Sequence, residues 1–160
     1  MNDEVSWLPS LVFLSAFDGD WERYVEQLYT YFKQDFVYSP PFFRGQRIGL
    51  KRFPITKGKE ATFWHLISTG TKEHYRYPDL RRCERIRWPR AIIENAEDSV
   101  VKTWENIRNG ERRQLLWLEQ HEYLVILARR AGYALLWTAY LVDTSHQRRK
   151  LQQEFEEFHH

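Results

Sequence analysis

The part of the sequence that most restricts the fold is a run of four strand-like segments near its C-terminal end. Each is rich in β-branched, aromatic and aliphatic residues, which strands favour, and they span Val100–Arg108, Arg113–Glu119, Tyr123–Arg129 and Tyr133–Val142. Only short connections separate them, at Asn109-Gly110-Glu111, Gln120-His121-Glu122 and Arg130-Ala131-Gly132. Parallel neighbours would need crossovers of about a dozen residues. The segments therefore predict a four-stranded antiparallel meander.

Helical patterns lie on both sides of this predicted meander. Asp20 is placed to cap a helix whose apolar residues recur at helical spacing from Trp21 to Phe32. A second helix is predicted over Asp79–Trp88, interrupted or restarted at Pro89, and a terminal helix over residues 143–160. Ala61–Ser68 fits a strand or a helix, and residues 1–19 are expected to be partly irregular. The order predicts an α+β fold with N-terminal helices, the meander and a terminal helix.

The charge of the chain is unevenly distributed although its formal net value is only +2. Residues 44–90 contain 13 Lys and Arg against 4 Asp and Glu, which gives this segment +9 and the remainder −7. A positive patch attracts polyanions, and nucleic acid is the commonest of these. The alternative is a solvated basic face whose charges are paired within the molecule.

Several classes of function receive no support from the sequence. The single cysteine, Cys83, excludes an intramolecular disulfide and a multi-cysteine zinc site. No Walker A, Gly-x-Gly-x-x-Gly or His-Glu-x-x-His motif is present, and the pair His159-His160 does not make a metal site. No apolar run approaches the roughly 20 residues of a membrane span, and the acidic start is unlike a secretory signal. We expect one cytoplasmic domain over residues 1–160, with no metal, cofactor or membrane.

Polar residues interrupt the apolar pattern of the last predicted strand. Strict alternation places Thr138 and Tyr140 on the same face as Leu136, opposite Trp137 and Ala139. Both faces are otherwise apolar, so helices are expected to cover both. Thr138 and Tyr140 are therefore candidate functional groups, although a threonine in a strand is also favoured for its β-branched shape.

The order of these elements resembles a known family of nucleases. A basic loop is followed by a histidine among aromatic residues, Phe63-Trp64-His65-Leu66, then by a helical region and a meander ending in Leu136-Trp137-Thr138-Ala139-Tyr140. From about Phe42 to Val142 this order resembles the phage-associated nucleases of the barnase–EndoU–colicin–RelE-like superfamily. The resemblance implies an α+β domain that cleaves RNA without a metal, with a toxin-like role and a neutralising partner. The relatives usually carry a paired histidine, whereas the next one here is His74.

Metal-free RNA cleavage needs an acid, a base and cations for the phosphate. His65 is the candidate acid or base because imidazole titrates near neutral pH, although its apolar neighbours also fit a core histidine. Its partner is left open among Lys51, Glu73 and Tyr140. The predicted catalytic set is His65, Lys51, Arg85 and Thr138, and the predicted nucleic-acid-binding set is Arg44, Arg47, Arg52, Arg81 and Tyr140. Trp64, Trp104 and Trp117 are further candidates for stacking on an unpaired base.

Two other functions fit the same basic segment. The first is a non-catalytic module that binds nucleic acid and does not need His65 at the phosphate. The second is a protein-interaction subunit whose arginine-rich helix binds an acidic partner. An antitoxin would be a partner of that kind, so partner binding alone does not separate this function from the nuclease.

Overall fold

A mixed six-stranded sheet forms the centre of the molecule. In a computed structural model, which describes residues 4–70, 72 and 76–158, the predicted meander is confirmed as β5–β8. Two short strands of the preceding loop, β1 and β2, extend the sheet, and β2 runs parallel to β8. The strands are β1 (Phe42–Phe43), β2 (Gln46–Gly49), β5 (Val101–Arg108), β6 (Glu111–Leu118), β7 (Tyr123–Arg130) and β8 (Tyr133–Leu141).

The prediction of a four-stranded sheet is therefore wrong in its extent, although the fold is α+β. The described sheet has the order β1-β2-β8-β7-β6-β5, with Ile48 opposite Ala134 and Gly49 opposite Leu135. Strands β1 and β2 have two and four residues, which is too short to show a period of two. They also lie in a stretch rich in glycine, proline and basic residues.

Five α-helices accompany the sheet in the described part of the chain. They are α1 (Trp21–Phe32), α2 (Ala61–Ile67), α3 (Leu80–Glu84), α4 (Trp88–Glu94) and α5 (Ser145–Phe158), and the short strands β3 (Ser68–Thr69) and β4 (Tyr77–Pro78) pair between α2 and α3. The predicted cap of α1 is confirmed, because Asp20 Oδ1 accepts a hydrogen bond from the backbone N–H of Arg23 at 3.2 Å. Pro89 restarts a helix, since it lies in the first turn of α4.

Helices cover both faces of the sheet, as predicted. Helices α1–α4 pack on the first face and form the main core with side chains such as Leu116, Val125 and Leu136. Helix α5 covers the second face through Leu151 and Phe155. Trp104 and Trp117 are buried in this second core, so they pack against neighbours and are not platforms for a base.

A β-bulge in β8 corrects the predicted assignment of faces. Thr138 pairs with Ile126 and Leu136 pairs with Leu127, which leaves Trp137 as an extra residue on β8. The extra residue reverses the alternation, so Leu136 and Ala139 both belong to the first face. Thr138 and Tyr140 therefore lie on the second face, which a strict period of two could not predict.

Four residues that the sequence singled out lie outside the described residues: Glu73, His74, His159 and His160. Among the helices of the described ranges, none is long and apolar enough to cross a bilayer.

Candidate active site

A cleft of about 360 Å³ opens beside β8, where its pairing with β2 ends. Side chains from four separate parts of the chain line it, and the polar and charged ones are Lys51, His65, Thr69, Arg76, Arg82, Thr138 and Tyr140. Gly70, Leu135, Leu136 and Trp137 complete the described lining. Four of the nine residues predicted from sequence therefore meet here: Lys51, His65, Thr138 and Tyr140.

The position of Lys51 is set by the first turn of α2. Its backbone N–H donates to Thr62 Oγ1 at 2.7 Å, and its carbonyl accepts from the Thr62 N–H at 3.0 Å. The next residue is held in the same way, because the Arg52 carbonyl accepts from the N–H of Ala61 at 3.1 Å. These bonds satisfy N–H groups of α2 that have no partner within the helix. The loop after β2 is thereby fastened to α2, and the Lys51 side chain is exposed at the cleft.

His65 lies one turn further along α2, on the side that faces the cleft. Phe63 and Leu66 of the same helix are buried in the main core, whereas His65 is half-buried. Helical geometry separates the directions of neighbouring side chains by about 100°, so a polar residue can alternate with core residues in one short helix. The aromatic setting of His65 in the sequence therefore reflects the core side of α2, and the imidazole itself is at the cleft.

Arg82 joins α2 to α3 and brings a guanidinium into the cleft. Its Nη1 donates to the carbonyl oxygens of His65 and Ser68, each at 2.8 Å. These carbonyls lie at the C-terminal end of α2, where a cation satisfies open acceptors and complements the helix dipole. The guanidinium lies 5.3 Å from the ring centroid of Tyr140, and Nε is 3.6 Å from Asp79 Oδ2. Burial lowers the pKa of Arg82, whose side chain is only 13% exposed.

Arg76 is the second guanidinium of the cleft, and it fastens the β3–β4 pair. Its Nη2 donates to the Ser68 carbonyl at 2.7 Å, its Nη1 to the Gly70 carbonyl at 2.8 Å and its Nε to Ser68 Oγ at 2.9 Å. The Ser68 carbonyl thus accepts hydrogen bonds from both Arg76 and Arg82. Two cations are brought close to one another and to His65 by a single backbone segment.

The bulge at Trp137 shapes the wall that β8 contributes. It turns Thr138 and Tyr140 away from the main core while Trp137 and Leu136 still line the cleft. Bulges are frequent beside active sites because they redirect a side chain without ending the strand. Thr138 can thus present its hydroxyl to a ligand beside His65 and Arg82.

The cleft is strongly cationic in the part of its wall that the structure describes. Lys51, Arg76 and Arg82 line it together with His65 and the Tyr140 phenol, and none of its described lining residues is acidic. Within the described ranges no group of three or more His, Cys, Asp and Glu side chains is arranged to hold a metal ion. Such a cleft favours a ligand with concentrated negative charge, and a phosphate is the common biological example.

The other five predicted residues do not line this cleft. Arg81 and Arg85 both face Glu84, with Nη1–Oε1 distances of 3.5 and 3.4 Å. Arg44 pairs with Glu97 at 3.0 Å. Arg47 and Arg52 are exposed elsewhere on the loop around β2. Part of the basic segment is thus paired with carboxylates, and another part lines the cleft.

Sequence reasoning missed Arg76, Arg82 and the positioning role of Thr62. A signal for Arg82 is present in the sequence, because it precedes the buried Ile86 by four residues and therefore shares its side of the helical segment. Thr62 is buried and polar, and a buried hydroxyl needs hydrogen-bond partners, which indicates a contact with a neighbouring chain segment. For Arg76 the sequence gives no signal, because its position depends on the β3–β4 pair.

Comparison with protein-family models, with curated proteins and with solved structures finds no match to this chain.

Proposed function

We propose that this protein is a metal-independent endoribonuclease and that the cleft is its active site. The observation that carries the proposal is the convergence of His65, Lys51, Arg82 and Thr138 from distant parts of the chain on one cationic cleft. A general acid–base group next to several phosphate-binding cations is the minimum equipment for cleaving RNA through its own 2′-hydroxyl.

In this reaction the 2′-oxygen attacks phosphorus and the bond from phosphorus to the 5′-oxygen breaks. The proton of the 2′-hydroxyl passes to a base, and an acid delivers a proton to the departing 5′-oxygen. The products are a 2′,3′-cyclic phosphate and a free 5′-hydroxyl end. His65 performs one of the two proton transfers, and Lys51 or Tyr140 is the described residue best placed in the lining for the other.

The cations stabilise the charge that develops on the phosphate. Arg82 contributes most, because its guanidinium is largely buried, where a charge interacts more strongly than in water. Its bonds to two backbone carbonyls fix its orientation before substrate arrives, which is the arrangement that lowers a barrier most. Thr138 adds a neutral hydrogen bond to a phosphate oxygen or to the imidazole of His65.

The test is cleavage of a fluorescent single-stranded RNA by purified protein in the presence of EDTA. We expect wild-type protein to cleave it and His65→Ala to be slower by about 10²–10⁴-fold, the usual contribution of a general acid or base. The matched control is His146→Ala, prepared in the same way, because His146 is exposed on α5 and outside the cleft. Products with a cyclic phosphate end would identify attack by the 2′-oxygen.

Equal activity of wild-type protein and His65→Ala would remove His65 from the reaction. RNA left intact by both would contradict the nuclease. Salt-sensitive RNA binding without cleavage, unchanged by His65→Ala, would instead support the non-catalytic binding module.

A further inference from the structure

A second cleft, the α5 groove, lies on the second face of the sheet and has a volume of about 190 Å³. Strands β6, β7 and β8 form its floor and α5 forms one wall. The reaction proposed above does not use it.

The α5 groove is continuous with the cationic cleft through Tyr140, which lines both. Tyr140 pairs with Leu124 of the groove floor, and Thr138 of the cleft pairs with Ile126 of that floor. Paired strands are about 4.8 Å apart, so a ligand chain leaving the cleft reaches the groove within the length of about one nucleotide.

The composition of the α5 groove fits a single-stranded nucleic acid. Tyr140 is half-buried and presents an aromatic ring on which a base can stack, and Arg108, Arg113 and Lys150 add three cations. Leu115, Leu124 and Ile126 close the floor of the groove and are buried in the second core. Single-strand binders combine these two features, a surface for bases and a charged track for phosphates.

The one acidic residue of the α5 groove is engaged by neutral donors. Glu154 Oε1 accepts hydrogen bonds from Trp104 Nε1 at 2.7 Å and from Asn106 Nδ2 at 2.5 Å. Arg113 Nε donates to Asn106 Oδ1 at 3.0 Å, which fixes the guanidinium beside the groove. With three cations and one carboxylate, the described lining keeps an excess of positive charge.

We propose that the α5 groove binds the continuation of the RNA strand whose scissile phosphate occupies the cleft, with Tyr140 at the junction. This inference rests on the proposed function, since it assigns that substrate a longer contact surface. It implies that the enzyme prefers single-stranded RNA that extends past the cleaved bond over a dinucleotide.

The experiment measures binding and cleavage for one double variant and one control. Arg108→Gln/Lys150→Gln removes two exposed cations of the α5 groove and leaves every described residue of the cleft unchanged. Arg149→Gln is the control, because Arg149 is an exposed cation next to Lys150 that does not line the groove. Binding is followed by anisotropy of a 2′-O-methyl ten-nucleotide strand, which has no 2′-hydroxyl and cannot be cleaved.

We expect the slope of log affinity against log salt to fall by about 1.4 in the double variant, since each lost phosphate contact on a single strand removes about 0.7. Cleavage of the ten-nucleotide RNA should fall about tenfold or more, while cleavage of a dinucleotide stays unchanged. Arg149→Gln should behave as the wild type in both assays.

An unchanged slope and unchanged cleavage in the double variant would overturn the groove proposal and leave the nuclease intact. A second outcome is that the wild type binds the strand, with the expected fall in slope in the double variant, while neither protein cleaves RNA. That result would overturn the nuclease and leave the groove as a binding site. Equal losses for the dinucleotide and the longer RNA would also contradict the groove, because they would indicate a change in the cleft. A wild type that neither binds the strand nor cleaves RNA contradicts both proposals.

Discussion

The short helix α3 and the residue after it carry three arginines in two different environments. Arg82 faces the cleft and donates to the carbonyls of His65 and Ser68. Arg81 and Arg85 lie on the other side and both approach the carboxylate of Glu84. Arg85 Nη1 also donates to the carbonyl of Arg81 at 3.0 Å. The difference is therefore that Arg82 is held in the cleft by two carbonyls of another segment, whereas Arg81 and Arg85 share one carboxylate outside it.

This difference indicates which of the three guanidinium groups is available to bind a polyanion. A carboxylate cancels most of the field of the guanidinium it contacts, whereas a carbonyl orients the guanidinium and leaves its net charge in place. Asp79 lies 3.6 Å from Arg82 Nε, but its Oδ1 also accepts the N–H groups of Arg81 and Arg82 as the cap of α3. Counting arginines in the basic segment therefore overestimates the charge available to a ligand.

The largest expected effect comes from breaking this contrast at Arg82. Arg82→Gln should slow RNA cleavage by about 10²-fold or more, the usual cost of removing one preorganised donor from a developing anion. Arg81→Gln is the matched control on the same helix and should change cleavage by less than about threefold. Cleavage rates of both variants, with far-UV circular dichroism to verify folding, provide the comparison.

Arg82→Lys separates the two roles of this side chain. It restores the charge but cannot reproduce the two-carbonyl geometry, so it should recover only part of the rate. Equal rates for the Arg82 and Arg81 variants would show that the environment of α3 does not determine function.

Arg87 and Arg90 occupy a third environment, beside the buried carboxylate of Asp35. Burial raises the pKa of Asp35 to about 6 from an ordinary value near 3.8, although both arginines act in the opposite direction. Arg90 Nη1 donates to the backbone carbonyl of Asp35, and among the described residues Asp35 Oδ2 has no hydrogen-bond partner. Proximity to arginine is thus not sufficient to keep the pKa of this buried carboxyl at its ordinary value.

Asp35→Asn should make stability less dependent on pH. The folded state of the wild type holds a proton on Asp35 up to about pH 6, whereas the unfolded chain releases it near 3.9. The contribution of Asp35 to stability is therefore complete below about pH 4 and is lost as pH rises through about 6. Between pH 4 and 7 the free energy of unfolding of Asp35→Asn should rise relative to that of the wild type by on the order of 2–3 kcal/mol, measured by urea unfolding. A difference in the free energy of unfolding between the two proteins that stays constant from pH 4 to pH 7 would contradict this prediction.

Much of the fold could be predicted from sequence because its evidence is local. The four strands of the meander and the cap at Asp20 depend on residue types and spacings within a few positions. The pairing of β2 with β8 could not be predicted, because it is non-local and involves only Ile48 and Gly49. The bulge at Trp137 was equally inaccessible, since alternation gives no sign of where an extra residue is accommodated.

The candidate site was predictable in part for the same reason. His65, Lys51, Thr138 and Tyr140 were selected for their chemistry, and tertiary structure brought them together. Arg81 and Arg85 are four residues apart, and that spacing shows only that two residues share a side of a helix. Which side packs towards α2 depends on the core around Cys83 and Ile86.

A smaller effect is expected from Thr138, whose hydroxyl is the neutral donor of the cleft. Thr138→Val keeps the β-branched shape and should slow cleavage by about tenfold, the worth of one hydrogen bond. The free energy of unfolding should change by less than about 1 kcal/mol. The control is Thr103→Val on β5, outside the cleft, where the hydroxyl accepts a hydrogen bond from Arg44. Unchanged cleavage by Thr138→Val would mean that the residue is present for its shape alone.

The smallest expected effect comes from removing the carboxylate that Arg81 and Arg85 share. Glu84→Gln removes the shared carboxylate but keeps an acceptor oxygen of similar size, so both guanidinium groups regain their field. At a distance of about 10 Å in water, one charge is worth about 0.4 kcal/mol, which is a twofold gain in affinity for a strand in the cleft. We expect this gain for the 2′-O-methyl strand at 50 mM salt and its disappearance at 500 mM, where screening is complete over that distance.

Glu22→Gln, an exposed change of equal charge on α1, should give a smaller gain. An equal gain from both variants would show that the strand responds to net charge, and that the pairing of individual arginines with carboxylates does not matter.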